Sequence, residues 1–392
     1  MVPNKSNSSL APRINRRSFI ATTAGSAATL LAGCLAGGSP ESPANSSHGG
    51  HNGESDSGST VSELPTTGTP ETVWLNDQGD ESVLYTLPAR HVLVGEEAAT
   101  GPLELPQVWA WAADDLDPSV PGPLYRVTEG TEFEIHFENS KDVRPHTLHV
   151  HAIGKGWIDD GAPTTTGHRI DPGDSHTYRF TADVTGTHLY HCHFDTHNHL
   201  DMGMYGILRV DPEEDENPPD REYFLTLRDW DTRLHRSLAG EDISFSQRDR
   251  NPDRFTINGR CAPYTFHPEH GSPLLVSEGD RVRVHLVNAG YEAHPFHTHN
   301  HRFEIVEKDG GQIPEAARVE QDVVYVAPAE RYTIEFDATA EPGLYPAHCH
   351  KVHHVMNDEV YPGGMATAIV YEEALDSIQF EDVMALAGHH MH

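Results

Sequence analysis

PGPLYRVTEGTEFEIHFENSKDVRPHTLHVH, residues 121–151, is answered later in the chain by GSPLLVSEGDRVRVHLVNAGYEAHPFHTHNH, residues 271–301. Each copy runs through an apolar stretch, a Glu-Gly turn (Glu129-Gly130, Glu278-Gly279), an alternating stretch, a polar turn and a histidine cluster. In TEFEIHF and RVRVHLV every second residue is apolar, the period of a strand with one buried face. Gly and Pro separate runs of this kind, and no long helical periodicity competes with them. Each half then closes on a run holding His-Cys-His: THLYHCH (187–193) and LYPAHCH (344–350). Short alternating strands, frequent turns and an internal repeat predict an all-β protein of two homologous antiparallel β-sandwiches, near residues 72–215 and 216–372.

The repeat also gives the histidines a purpose. One His-x-His is commonplace on an exposed strand, but here four stand at matching places in two repeats. Residues i and i+2 of a strand share a face, about 6.5–7 Å apart at the α-carbons. His191 and His193 therefore point one way and Cys192 the other, and the same holds for His348, His350 and Cys349. One strand can serve two metal sites on opposite sides. His146-x-x-His149-x-His151 and His294-x-x-His297-x-His299 add further ligands with identical spacing. In GTHLYHCHFDTHNHLDMGM (186–204) thiolate, imidazole and thioether crowd together, the ligand set of soft or borderline transition metals. Two histidines, one thiolate and a weak thioether make the blue, or type 1, copper pattern. A structural zinc site takes the same histidines and cysteine but has no use for a methionine.

With their strand context, HPFHTH, HCH and the downstream His and Gly-Met resemble the copper motifs of the multicopper oxidases, over about 300 residues. The resemblance implies two cupredoxin-like Greek-key β-sandwiches, a type 1 copper that takes electrons from a reductant, and a trinuclear copper cluster that reduces dioxygen to water. Carried over by position, it implies His149 and His297 on the type 2 copper and His151, His191, His193, His299, His348 and His350 on the type 3 pair. In the first half His146 and Cys192 belong to the type 1 site. The family spacing His-x-x-x-Gly-Met favours His199 with Met204, while His197 with Met202 competes. In the second half HCHKVHHVMNDEVYPGGM supplies His294, Cys349 and His354, with Met365 favoured by motif and Met356 by proximity. The resemblance further implies a proton-relaying acid near the type 2 copper, at Asp160 of HAIGKGWIDDG, with Asp159 next in line. It also implies a homotrimer, in which a short connector at 211–221 (DPEEDENPPDR) leaves the two histidine quartets of one chain unpaired and each is completed by a neighbour.

Copper nitrite reductase resembles the same two-domain plan and is the rival reading. Those enzymes lack the second histidine after the cysteine and carry their catalytic Asp between the early histidines. Here His193 and His350 are present and no Asp lies between His146 and His151. A non-catalytic copper carrier is the other alternative, but it needs one blue site and leaves the paired histidines surplus. The reducing substrate, whether a phenol, a metal ion or a small blue-copper protein, is not written in these motifs. With seven methionines and no Met-rich insert, a dedicated cuprous oxidase is disfavoured.

The ends of the 392-residue chain read as address and tether. RINRRSFIATTAGSAATLLAGC carries Arg16-Arg17, a short apolar run and Leu31-Ala32-Gly33-Cys34. This predicts a twin-arginine export signal (residues 1–34) ending in a lipobox-like sequence. Lipidated Cys34 would then attach the protein to the outer face of the membrane. Residues 35–71 predict a flexible linker rich in Gly, Ser and Pro, and 373–392 a histidine-containing tail. Lys and Arg total 27 against 60 Asp and Glu, a formal charge of −33, which repels nucleic acid and suits a solvated acidic surface at high salt. Cys261, in INGRCAPYTF, has no copper-motif neighbours and predicts a packed or lightly exposed free thiol with no assigned role.

Overall fold

Alternation decides the strands. Glu132–Glu138 buries Phe133, Ile135 and Phe137 on one face and turns its acidic residues toward solvent. The computed structural model describes residues 70–96, 101, 103–269, 271–357 and 359–385, with the backbone of Ser62–Glu63. The twin-arginine run with Cys34, most of the 35–71 linker and the histidines of the tail lie outside the described residues. Among the described residues no helix is long and apolar enough to cross a membrane.

The strands form two sandwiches of two sheets each. In the first, Asp80–Val94, Glu132–Glu138, Ser175–Thr181 and Gly154–Lys155 lie side by side, with Leu103–Ala113 also paired to Asp80–Val94. The facing sheet runs Thr72–Trp74, Leu124–Thr128, Tyr205–Asp211, Gly186–His191, His149–Val150. The second sandwich repeats the order of that sheet as Leu274–Val276, Ala366–Tyr371, Leu344–Cys349, His294–Thr298, and adds Val323–Val326. Its other sheet holds Arg254–Ile257, Arg221–Trp230, Arg281–Asn288, Arg331–Asp337 and Phe303–Lys308. The register sets histidines directly across from one another: His191 faces His149, and His348 faces His297. Cross-strand neighbours stand about 5 Å apart at Cβ, close enough to share an ion.

Each sandwich has its own core, around Phe133, Ile135 and Tyr178 in the first and Val284, Phe296 and Ile334 in the second. A third core lies between them, where Leu189, Tyr205 and Ile207 meet Trp230, Val287 and Ala289. This seam explains why Arg281–Asn288 loses its alternation: His285, on the outward face, is buried against the first sandwich and bonds Thr187 Oγ1 at 2.8 Å. Beside it Arg209 and Glu307 form an ion pair of 3.0 Å at 3% side-chain exposure each. Removing one partner of such a pair costs about 3–5 kcal/mol, because the other charge is left buried and unpaired. Part of the segment read as a tail also packs. Phe380–Ala385 is helical, and Met384 is buried in the seam core. Cys261 lies fully buried in the same core, its Sγ 3.2 Å from the Phe255 carbonyl oxygen.

Candidate copper centres

The two cysteines sit at the ends of equivalent strands and gather equivalent partners. Cys192 Sγ lies 3.2 Å from His199 Nδ1 and 3.9 Å from His146 Nδ1, and the two nitrogens are 3.1 Å apart. Cys349 Sγ lies 3.3 Å from His354 Nδ1 and 3.8 Å from His294 Nδ1, with the nitrogens again 3.1 Å apart. All six residues are buried. Ligands about 2.0–2.3 Å from a common ion stand about 3.3–3.8 Å from each other, which is the size of these triangles. Burial pushes both thiols up to about 12 and holds His199 at about 3 and His354 at about 2. Buried thiols and bare imidazoles converging on one point are costly unless an ion displaces the thiol proton.

His197 stays outside the first triangle. It is exposed and pairs with Asp195 at 3.1 Å. The methionines divide in the same way. Met204 N–H donates to the His199 carbonyl while its own carbonyl accepts from Cys192 N–H; Met365 does the same with His354 and Cys349. Both are fully buried in the cores that hold the cysteines. Met202 instead bonds Trp109 through its backbone, and Met356 is only half-buried. Gly203 and Gly364 make the return possible, turning the chain at φ +110° and +60° just before each methionine. The donor set of two imidazoles and a thiolate, with a buried methionine in the core that holds each cysteine, fits copper.

Behind each triangle is a carboxylate that the sequence reading missed. Asp142 Oδ1 lies 3.8 Å from His146 Nε2, and Asp229 Oδ1 lies 3.4 Å from His294 Nε2. Neither imidazole nitrogen has a formed hydrogen bond, so these are aligned contacts. Asp142 precedes His146 by one turn of chain, a signal present in the sequence. Asp229 belongs to a strand far from His294 in sequence, and nothing local announces it. The two sites differ in their packing: His199 meets Trp109 edge-on at 4.7 Å, whereas His354 stacks on Phe255 at 3.9 Å and has Glu292 3.3 Å from its Nε2.

On the other side of the same strands lie two histidine quartets. His151 Nε2 faces His191 Nε2 at 3.1 Å, and His299 Nε2 faces His348 Nε2 at 3.1 Å. His193 and His350 stack on His191 and His348 at 5.6 Å each. His149 and His297 stand within 5.0–5.6 Å of the other three rings of their quartets. Carbonyls set the tautomers, because they only accept: His149 Nδ1 donates to Asp160 O (2.6 Å), His297 to Asp322 O (2.8 Å), His191 to Cys192 O (2.9 Å) and His348 to Cys349 O (3.0 Å). Each leaves an Nε2 lone pair aimed at its quartet. Burial and neighbouring imidazoles lower His151 to about 2 and His191 to about 3, so both are neutral donors. The Asp160 carboxylate, half-exposed, is 3.5 Å from His149 Nδ1 and 3.8 Å from Lys155 Nζ. Asp159 points elsewhere, to His176 Nε2 at 2.9 Å. Among the described residues, no hydrogen bond or ring contact joins one quartet to the other.

Models of the multicopper oxidase family match residues 107–215 and 242–370. The blue copper oxidase of Nitrosomonas europaea has a similar structure, at TM-score 0.66 and 32% identity over 78% of this chain and 89% of that one. The chain belongs to the multicopper oxidase family. A second solved member, the multicopper oxidase mgLAC, is similar at TM-score 0.63 and 28% identity, over 76% of this chain and 87% of that one. A probable nitrite reductase-hydroxylamine oxidoreductase fusion protein of Kuenenia stuttgartiensis is 29% identical over 261 residues, 64% of this chain. The chain spans 28% of that protein's length. Multicopper oxidases bind copper and act as oxidoreductases, in keeping with the donors gathered here.

Proposed function

We propose that this multicopper oxidase is laccase-like, coupling one-electron oxidation of a reductant to four-electron reduction of dioxygen to water. His146, Cys192, His199 and Met204 hold one type 1 copper; His294, Cys349, His354 and Met365 hold the other. The quartets supply the type 2 and type 3 ligands, His149 and His297 serving type 2 and the remaining six type 3. When bound, the thiolate coppers would pass single electrons and the three-copper group would deliver four to dioxygen. The chain's own part is positional. Cys192 is covalently continuous with His191 and His193, and Cys349 with His348 and His350, so each strand connects a thiolate site to a quartet through adjacent residues. The His191 Nδ1 bond to the Cys192 carbonyl shortens that connection. Asp160 holds His149 through its carbonyl and keeps a carboxylate beside it to take up and pass on protons.

The observation that carries this reading is the pair of matching half-sites, four histidines each, with no hydrogen bond or ring contact between them among the described residues. Exposed Trp157 and Ile158 flank Asp160, and exposed Val319 and Tyr325 flank Asp322. Large apolar side chains around an incomplete metal site suit an interface between subunits. A head-to-tail contact of the first sandwich with the second sandwich of a neighbour must close into a ring, and the reading is a homotrimer. Export and lipid attachment through Cys34 are part of the proposal. Membrane fractionation of the native chain against Cys34→Ala tests them, and equal membrane association would remove the anchor.

The decisive measurement is dioxygen uptake by the copper-loaded protein against phenolic, ferrous, cuprous and blue-copper-protein donors, with four donor electrons counted per dioxygen. Nitrite under anaerobic conditions is the parallel arm. Nitrite reduction without dioxygen uptake would make the chain a nitrite reductase; neither activity, with reversible bleaching of the blue colour, would make it a carrier.

A further inference from the structure

The two thiolate triangles of one chain are joined by a buried polar chain. It begins two residues after His199, at Asp201, whose side chain is 8% exposed. Asp201 Oδ1 accepts from Arg228 Nη2 at 2.5 Å, and its Oδ2 accepts from Arg250 Nη1. The other nitrogen of the same guanidinium, Arg250 Nη2, lies 3.4 Å from Asp229 Oδ2. The other oxygen of Asp229 stands 3.4 Å from His294 Nε2 and accepts the Glu292 N–H at 3.0 Å. Arg250 thus has one nitrogen on the loop of the first site and one on the carboxylate behind a ligand of the second. Its side chain is 5% exposed and that of Asp229 0%, so solvent does little to screen the group.

The first site has an arrangement of the same kind that stops at itself. Arg144 Nη1 lies 3.1 Å from Asp142, which faces His146, and the Arg144 guanidinium stacks over Trp109 at 4.4 Å. Arg250 likewise stacks over Tyr291 at 4.4 Å. An arginine, a carboxylate and a histidine Nε2 therefore recur behind each triangle. Of the two arginines behind the triangles, Arg250 also grips Asp201, so the second arrangement reaches across.

We propose that Arg250 is a positioning residue shared by both thiolate sites, and that through Asp201 and Asp229 it couples them, so that the two coppers of one chain accept electrons at linked potentials. The inference rests on both triangles holding type 1 copper. Arg250 is a fixed positive charge within a buried group whose other members, Arg228, Asp201 and Asp229, carry one positive and two negative charges. Removing it leaves that group net negative, which favours the more positive, oxidised ion at both sites. In a linked pair, reduction of one site also alters the field that the same group presents to the other.

The test uses the full copper-loaded protein with one site reported at a time. Cys349→Ser leaves the first blue site visible, and Cys192→Ser leaves the second. In each background the midpoint of the blue band is titrated spectroelectrochemically with and without Arg250→Met. The expected result is a fall at both sites, of about tenfold in the reduction equilibrium, or about 59 mV for one electron. Arg250→Lys keeps the charge and is expected to restore most of the shift. If Arg250→Met does not fold, Asp201→Asn takes its place, and loss of that anion is expected to raise the midpoint at both sites. A shift confined to one site, or Arg250→Lys behaving like Arg250→Met, overturns the coupling. Absence of any blue band in both single-cysteine chains would instead overturn the type 1 reading, and the coupling with it.

Discussion

Cys192 and Cys349 show how a single residue can be wrong for packing and right for a metal. Each thiol is pushed up to about 12 by burial while two imidazole nitrogens converge on it. Copper that displaces the thiol proton finds its ligands gathered only in the folded chain and so binds it more tightly than the unfolded one, which stabilises the fold by mass action. Stripping the metal with a chelator should lower the unfolding temperature, and restoring copper should recover it; calorimetry showing equal transitions would remove copper from the fold's stability. Cys192→Ser and Cys349→Ser should each abolish about half of the blue absorption per chain, because the colour needs sulfur bound to the oxidised ion. Full blue intensity in Cys349→Ser would mean that the second triangle carries no blue copper. Asp160→Asn separates structure from proton supply. The backbone carbonyl that holds His149 remains, so copper content and reduction of the blue sites should stay as they were, whereas turnover should fall at least tenfold if the carboxylate passes protons. Normal turnover would place the relay elsewhere.

At the scale of strands and turns, the second site depends on a long loop returning Met365 to Cys349. Gly364 sits at φ +60°, and a Cβ there would collide with the His354 carbonyl. Gly364→Ala should cost about 1–2 kcal/mol for the left-handed backbone alone, with the collision added. It should weaken the blue band of the second site while leaving that of Cys192 unchanged, as read in single-cysteine chains. An intact second band would show that the loop tolerates a displaced return. What the sequence made legible follows the same local logic. Alternation in TEFEIHF and the repeated His-x-His are short-range patterns, and they placed both sandwiches and gathered the triangles and quartets. The preference for His199 over His197 rests on the Gly-Met spacing, and the backbone bond from Met204 N–H to the His199 carbonyl gives that spacing a physical form. Asp229, Arg250 and Asp322 were not legible, because each meets its histidine or its partner from a distant segment that no spacing rule connects. The helical packing of Phe380–Ala385 was hidden for another reason: Met384 finds its apolar partners only in the seam between sandwiches, which exists after both have folded.

The whole molecule sets charge against assembly. A formal charge of −33 repels itself, and the repulsion reaches about 30 Å at 0.01 M salt but about 3 Å at 1 M. Raising salt across that range should raise the unfolding temperature and favour association; a flat response would show that the acidic residues are already neutralised by local pairing. Association matters because, among the described residues, no hydrogen bond or ring contact joins the two quartets of one chain, and each has an exposed aromatic residue near its carbonyl partner in sequence, Trp157 before Asp160 and Tyr325 after Asp322. If a neighbour's second sandwich completes the first sandwich's site, a chain lacking His149 and a chain lacking His297 fail in different halves. His149→Ala and His297→Ala homotrimers should each be inactive, since every interface then lacks one histidine. Mixed rings made by dissociation and reassembly at high salt contain interfaces at which an intact first quartet meets an intact second one. Those interfaces carry all eight histidines, and dioxygen uptake should return in proportion to their number. Subunit exchange is verified separately with two chains of different mass. Exchange without recovered uptake would mean that each chain completes its own cluster, and full activity in a dilute monomer would mean the same.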